Sequence, residues 1–432
     1  MRRLFDSRLV YTVLLWLLLP YIFFHLLWRA RKQPEYLQHI AERFGFYAMH
    51  STKPVIWLHT VSVGETRAAA SLVKRLRESY PDHQLLLTHT TPTGREASEQ
   101  LYGDDVLRVY LPYDYPFAVR RFLDHFRPRI GVLLETEIWF NLIHACHADK
   151  TPLLLLNARL SEKSAARYAR HPHLVKSGLR ELSAIAAQST ADAERLTALG
   201  GKEVSVMGNL KFDIEPPAAM LERGQQLRSQ FGVDRKAFLA ASTREGEEAL
   251  LLDALKSLPV PCLLTIIVPR HPQRFAEVET LLERRGLRFQ RRSENRAIAP
   301  EIQVVLGDSM GEMFAYYAAC DIAFIGGSLL PFGGQNLIEA CAVGKPVVIG
   351  PHTYNFTQAS KLAVASGAAV RVQDAAGLAQ TLQHLLSHSD QMKEIGHAGQ
   401  VFVSANRGAT ERAMFHISKS LAVISGKIAH HE

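Results

Sequence analysis

Short apolar runs alternating with longer helix-periodic stretches, from Lys53 almost to the C-terminus, constrain this chain more than any other feature. Residues 55–59, 84–88, 106–110, 130–134, 152–156, 184–188 and 204–207 read as strands. Between them, 65–79, 116–126 and 192–199 carry apolar residues at helical spacing. Strands this uniformly apolar bury both faces, so the alternation predicts a parallel sheet covered by helices on either side. A polar stretch at 213–217, with Pro216 and Pro217 in succession, breaks the pattern. It then restarts: 237–241, 263–268, 287–290, 303–306, 322–325, 346–349 and 368–370 are the second set of strands, and 375–428 reads as helix. The prediction is an α/β chain of two doubly wound halves, with a ligand cleft between them at the strand ends.

A length of 432 residues agrees with two domains rather than one core. The net charge of +8 is spread along the chain and not gathered into basic runs interleaved with aromatics. That pattern argues against nucleic acid and for an anionic membrane or a phosphorylated substrate. The four cysteines, Cys146, Cys262, Cys320 and Cys341, are far apart in apolar contexts without metal-ligand spacing. Buried free thiols in a reducing compartment are expected.

Residues 9–28 form a nearly unbroken apolar run, about the twenty residues a bilayer-crossing helix needs. Arg2, Arg3 and Arg8 precede it, and Arg29, Arg31 and Lys32 follow it. The bulky Phe-Phe-His-Leu-Leu-Trp ending lacks small residues for signal cleavage, so a retained anchor is the reading. Pro20 and His25 leave a tilted or in-plane helix open beside a spanning one.

The chemistry concentrates at predicted strand ends. Ser62-Val63-Gly64-Glu65 follows the first strand and opens a helix, where Glu65 is either a dipole-favoured capping residue or a functional acid. Glu135 and Glu137 end the very apolar fourth strand, a costly place for carboxylates unless they are paired or used. Paired carboxylates suit general acid–base work at a glycosyl centre. Lys211, in Gly208-Asn209-Leu210-Lys211-Phe212-Asp213, is either solvated or a partner for phosphate or carboxylate. In the second half Pro269 and Arg270 follow a strand, where arginine suits phosphate. Met310, Gly311 and Glu312 close a small-residue loop whose amides suit an anion. Gly326-Gly327-Ser328 follows another strand, and Gly333-Gly334-Gln335-Asn336 opens a helix bearing Glu339. Together these loops predict a nucleotide-binding half. No Asp-x-Asp pair or His-Glu-x-x-His stretch suggests a metal, so metal-free chemistry without a cofactor is expected.

Taken in order, VSVGET, LETEIW, GNLKFD, VPRHPQRF and GGQNLIEA resemble the Kdo (3-deoxy-D-manno-octulosonic acid) transferase family of lipopolysaccharide biosynthesis, over essentially the whole chain. Phe140, Leu337 and Ala340 stand where that family commonly has proline, and Arg244 where it has histidine. The resemblance implies a GT-B glycosyltransferase that moves Kdo from CMP-Kdo to a lipid A precursor, with inversion and without metal. It implies Glu65 as base, with Glu135 and Lys211 stabilising the transition state and Glu137 a close second to Glu135. CMP would be held by Pro269, Arg270, Met310, Gly311, Glu312, Asn336, Leu337, Ile338 and Glu339, with Ser328 as a further candidate. The expected division is an anchor at 1–32, an acceptor-binding domain at 33–213 and a CMP-sugar-binding domain at 214–432 that includes the C-terminal helices. Because CMP-sugar is cytoplasmic, the catalytic domains should face the cytoplasm from the inner membrane. Two other readings stay open on sequence: a UDP-sugar GT-B transferase or epimerase, and a non-catalytic membrane-bound nucleotide or lipid A binding protein.

Overall fold

The structure, a computed structural model, describes residues 7–31, 33–256, 258, 260 and 263–428. Arg2, Arg3, Lys32 and Cys262 lie outside the described residues. The chain forms two compact units, one of Met1–Asp213 with Asn406–Glu432 and one of Ile214–Ala405.

The first unit holds a seven-stranded parallel sheet of β1 (Val55–His59), β2 (Gln84–His89), β3 (Leu107–Tyr110), β4 (Ile130–Leu134), β5 (Leu153–Ala158), β6 (Ala184–Ala187) and β7 (Val204–Val206). Its order is β3-β2-β1-β4-β5-β6-β7, so the winding reverses between β1 and β4. β1, β4 and β5 are buried along their whole length, as strands covered on both faces must be. Gly131 is required there: a Cβ on it would stand 2.5 Å from the Trp57 ring. The Trp57 indole, fully buried, donates to the Thr88 hydroxyl at 2.8 Å.

The expected helix at 65–79 is two helices, Val63–Ala68 and Ala70–Ser79, interrupted at Ala69. The Tyr102 hydroxyl donates to the Thr66 carbonyl at 2.9 Å, competing with the helical ladder at the break. The C-terminal helix also departs from expectation. Ala409–Ile428 belongs to the first unit, where Ala409, Ala413, Met414 and Ile417 join Ile56, Leu58 and Leu76 in one core. Asp213 fastens its start, accepting from Gly408 N at 2.7 Å and from Thr410 N. Helical pattern identifies a helix but not the sheet that will cover its apolar face.

The second unit repeats the theme with β8 (Ala237–Thr243), β9 (Leu264–Pro269), β10 (Phe289–Arg291), β11 (Val304–Leu306), β12 (Ile322–Ile325), β13 (Val347–Ile349) and β14 (Ala369–Arg371). The order β10-β11-β9-β8-β12-β13-β14 reverses between β8 and β12. Phe238, Ala240, Ile267, Phe324 and Val348 fill its core. Cys146, Cys320 and Cys341 are free and buried, with burial pushing each thiol well up.

Near the N-terminus a 23-residue helix, Arg8–Ala30, runs without interruption through Pro20. It is long and apolar enough to cross a membrane.

Candidate functional site

In open α/β sheets ligands meet the carboxyl ends of strands where the winding reverses. In the first unit those strands are β1 and β4; Glu135 follows β4 directly, and Glu65 lies in the first turn of the helix after β1.

Ser62 ends the extended chain after β1 and caps the helix that carries Glu65. The Glu65 carboxylate turns back on this start: Oε2 accepts from Val61 N at 2.8 Å, and Oε1 from the Ser62 hydroxyl at 3.1 Å. The capping role weighed on sequence is therefore real. It does not account for the electrostatics. Burial first, then the neighbouring Glu135, pushes the Glu65 carboxyl up to about 7. The Val61 and Ser62 bonds pull it down, and Glu137 adds to the rise. A carboxyl poised near neutrality can take or give a proton.

Glu135 occupies the left-handed region at φ 62°, strained for a residue with a Cβ and typically costing about 1 kcal/mol or more. Its N–H donates to Leu156 O at 3.2 Å and its carbonyl accepts from Arg159 N at 3.4 Å, so both neighbouring segments hold the strained turn. Glu135 Oε1 meets Lys211 Nζ at 3.2 Å, a half-buried ion pair. Glu137 accepts from the Trp139 indole at 2.7 Å and lies 3.8 Å from Nε2 of the buried His59.

Lys211 sits in a single turn, Leu210–Phe212, placed by residues that sequence reasoning did not single out. A register shift after Leu155 sets Asn157 at φ 52°, and its side chain accepts from Leu210 N at 3.1 Å. The Gln188 amide donates to the Asn157 carbonyl at 3.0 Å and accepts from Asn209 at 3.1 Å. His59 was missed as well; a histidine ending an otherwise apolar strand was the available signal.

The second unit gathers its candidates at the equivalent edge. Glu247, fully buried, accepts from Arg244 N at 2.9 Å, Gly327 N at 2.5 Å and Leu329 N at 3.0 Å. It joins the loops after β8 and β12 at the winding reversal. Burial pushes its carboxyl up, opposed by those same amides. The adjacent acids Glu247 and Glu248, in Arg244-Glu245-Gly246-Glu247-Glu248, were the overlooked signal, since Glu248 also binds the buried Arg274 at 2.6 Å and 3.0 Å.

Arg270 follows β9 and donates to the Gln335 side chain at 3.1 Å, with Pro269 the last residue of the strand. Asn336 accepts from Ile338 N and donates to Glu339, each at 3.1 Å, so these two side chains form one unit at a helix start. Leu337 and Ile338 are buried, and any ligand contact from them falls to the backbone. Met310 is exposed and Gly311 left-handed at φ 81°. Glu312 is not idle: Arg292 reaches it at 2.9 Å and Arg223 at 3.4 Å. Ser328 is fully buried, its hydroxyl donating to Ile325 O and accepting from Gly350 N at 2.8 Å. That hydroxyl shapes the loop, leaving only backbone atoms for a ligand.

Residues 38–214 match the family model described as 3-deoxy-D-manno-octulosonic-acid transferase, and 251–402 match glycosyl transferases group 1. The chain is 40% identical over 423 residues to a 3-deoxy-D-manno-octulosonic acid transferase of Bordetella pertussis, covering 94% of this chain and 98% of the relative. With the enzyme of that name from Haemophilus influenzae it shares 37% over 414 residues, covering 94% and 97%. Among solved structures, a Rickettsia africae glycosyltransferase aligns with a TM-score of 0.58 at 18% identity, over 86% of this chain and 99% of that one. Acinetobacter baumannii MurG aligns with a TM-score of 0.54 at 15% identity, over 85% and 99%. These likenesses are to the GT-B fold.

Proposed function

The chain belongs to the 3-deoxy-D-manno-octulosonic acid transferase family of glycosyltransferases, and from that premise we propose that it moves Kdo from CMP-Kdo to a hydroxyl of a lipid A precursor, with inversion. The supporting observation is the Glu65 carboxyl, raised to about 7 by burial and by Glu135, at the reversal point of the first sheet.

Glu65 takes the proton of the acceptor hydroxyl as that oxygen forms a bond to the anomeric carbon of Kdo. The bond from that carbon to the CMP phosphate oxygen breaks, and CMP leaves with the electron pair. Glu65 already accepts two hydrogen bonds, so its orientation is set before the acceptor arrives. Lys211, held against Glu135, supplies positive charge for the Kdo carboxylate or the departing phosphate. Glu137 steadies the same edge through Trp139 and His59.

The CMP part is assigned to the second unit: Arg270 for phosphate, the loop at Met310 and Gly311 for amide contacts, and Asn336 with Glu339 for ribose or base. A phosphodiester donor whose leaving group is a stable monoester is compatible with an arginine and loop amides in place of a metal. Residues 33–213, with the returning helix Ala409–Ile428, take the acceptor, and Ile214–Ala405 takes the nucleotide. The apolar helix Arg8–Ala30 supports a membrane location, which we assign to the inner membrane with the catalytic units facing the cytoplasm, where CMP-sugar is made.

The test is a radiolabel assay with purified chain and lipid A precursor, offered CMP-Kdo and UDP-sugars in parallel. Label should pass to lipid from CMP-Kdo alone; transfer from a UDP-sugar in its place would overturn the donor assignment.

A further inference from the structure

Helix Arg8–Ala30 touches the rest of its unit along one stripe. Near its start, the Tyr11 hydroxyl donates to Asp114 Oδ2 at 2.9 Å and the Thr12 hydroxyl donates to Asn141 Oδ1 at 3.0 Å. The Tyr115 hydroxyl donates to Leu15 O at 2.7 Å, and Trp16 packs on Tyr115 and Phe117 with ring centres 5.1 Å and 5.6 Å away. At the far end Leu26 and Ala30 are buried with Tyr36, and Arg29 lies 4.3 Å over the Tyr36 ring. The segment after the helix is itself fixed, with Arg43 donating to Thr90 O at 3.1 Å and Glu42 accepting from Tyr110 N at 2.7 Å.

Tyr11, Leu15, Leu26 and Ala30 fall within about 100° of one another on a helical wheel, so the contact is a single face. The opposite face is apolar and bare: Leu9 is 72% exposed, Leu17 71% and Phe24 68%. From Tyr11 to Ala30 the helix rises roughly 28 Å, nearly a hydrocarbon thickness. Standing upright in a bilayer, it would draw Asp114 and Asn141 into hydrocarbon at one end or lose every contact they make with it. Buried polar groups stripped of partners cost about 1–3 kcal/mol each. Lying flat, it keeps those bonds and turns only its apolar face to lipid.

We infer that Arg8–Ala30 lies in the plane of the membrane as a monotopic anchor, its Leu9–Leu17–Phe24 face in one leaflet and its Tyr11–Leu15–Leu26 face on the first unit. The occupant of the bare face is a lipid surface. The bare face is continuous and apolar, and the basic Arg8, Arg29 and Arg31 at its two ends suit anionic headgroups. On the flank, Arg121 covers the exposed Phe46 at 4.2 Å and reaches Phe117 at 5.2 Å, adding an aromatic and basic border. The inference rests on the reading of this helix as the membrane contact and fixes how that contact is made.

The experiment uses the full chain on vesicles of phosphatidylethanolamine and phosphatidylglycerol. A fluorophore is attached in turn at Leu9→Cys, Leu17→Cys and Phe24→Cys, with the parent chain as the labelling control, and its depth is read by quenching with lipids brominated at graded positions. An in-plane helix gives one shallow depth, about 5–10 Å below the headgroups, at all three sites. A gradient with Leu17 near the bilayer centre overturns the inference while leaving membrane binding intact. A chain that fails to float with the vesicles sinks the membrane reading itself. Leu17→Glu with Phe24→Glu should weaken vesicle binding at least tenfold; unchanged flotation counts against the lipid-facing assignment.

Discussion

Nζ of Lys211 lies 3.2 Å from Oε1 of Glu135, joining residues 76 positions apart in sequence. The pair neutralises one carboxylate of an edge that carries three, Glu65, Glu135 and Glu137. The Glu65 proton thereby becomes the variable of the site, because Glu135 and burial both act on it.

Replacing Glu65 by Gln should lower kcat by about 10²–10⁴-fold, the usual weight of a positioned general base. CMP binding by titration calorimetry should be unchanged, since the assigned nucleotide residues belong to the second unit. Transfer at the parent rate would remove Glu65 from the mechanism.

The pH dependence follows from the same carboxyl. As a base it works deprotonated, so kcat/KM should climb tenfold per pH unit below about 7 and level off above it. Its effect on stability has the opposite slope. The folded carboxyl holds its proton up to about 7 and the unfolded one only to 4.5, so stability falls as pH rises across that window. Glu65→Gln should therefore unfold at higher temperature than the parent at pH 8, with the difference shrinking toward pH 4. A Tm difference constant with pH would contradict this.

Glu135→Gln removes a like charge from Glu65, so the acidic limb of kcat/KM should move to lower pH. Lys211→Met leaves Glu135 without its cation, and the same limb should move up. Rate–pH profiles of the two variants shifting in one direction would break the proposed coupling.

Glu247 holds three loop amides from within the second core. Glu247→Ala leaves them unsatisfied and should cost about 2–4 kcal/mol in urea unfolding, with weakened CMP binding. Glu247→Gln, which keeps an acceptor, should recover part of both. A loss of stability below about 0.5 kcal/mol would show that the loops hold themselves.

Much of the fold was legible because buried parallel strands advertise themselves. Each apolar run became a strand, with ends moved by no more than two residues, as 106–110 became Leu107–Tyr110 while 130–134 kept its ends. Pairing order was not legible: nothing local says that β1 lies between β2 and β4. The break at Ala69 depends on Tyr102, and the return of Ala409–Ile428 to the first unit depends on Asp213 and a distant core. Within the site, Glu65, Glu135 and Lys211 could be named from their places at strand ends. Asn157 and Gln188 could not, because their work is to hold a turn about fifty positions or fewer further along, through bonds only the folded sheet creates.

The sequence by itself determined the two α/β halves, the apolar helix and the acids at strand ends, since period and composition are local properties of the chain. Tertiary structure decided what those acids are. It brought Glu135 near Glu65 and gave Glu135 a lysine, and charge interaction depends on distance in space. It likewise turned an apolar run compatible with two membrane geometries into a helix with one face already taken.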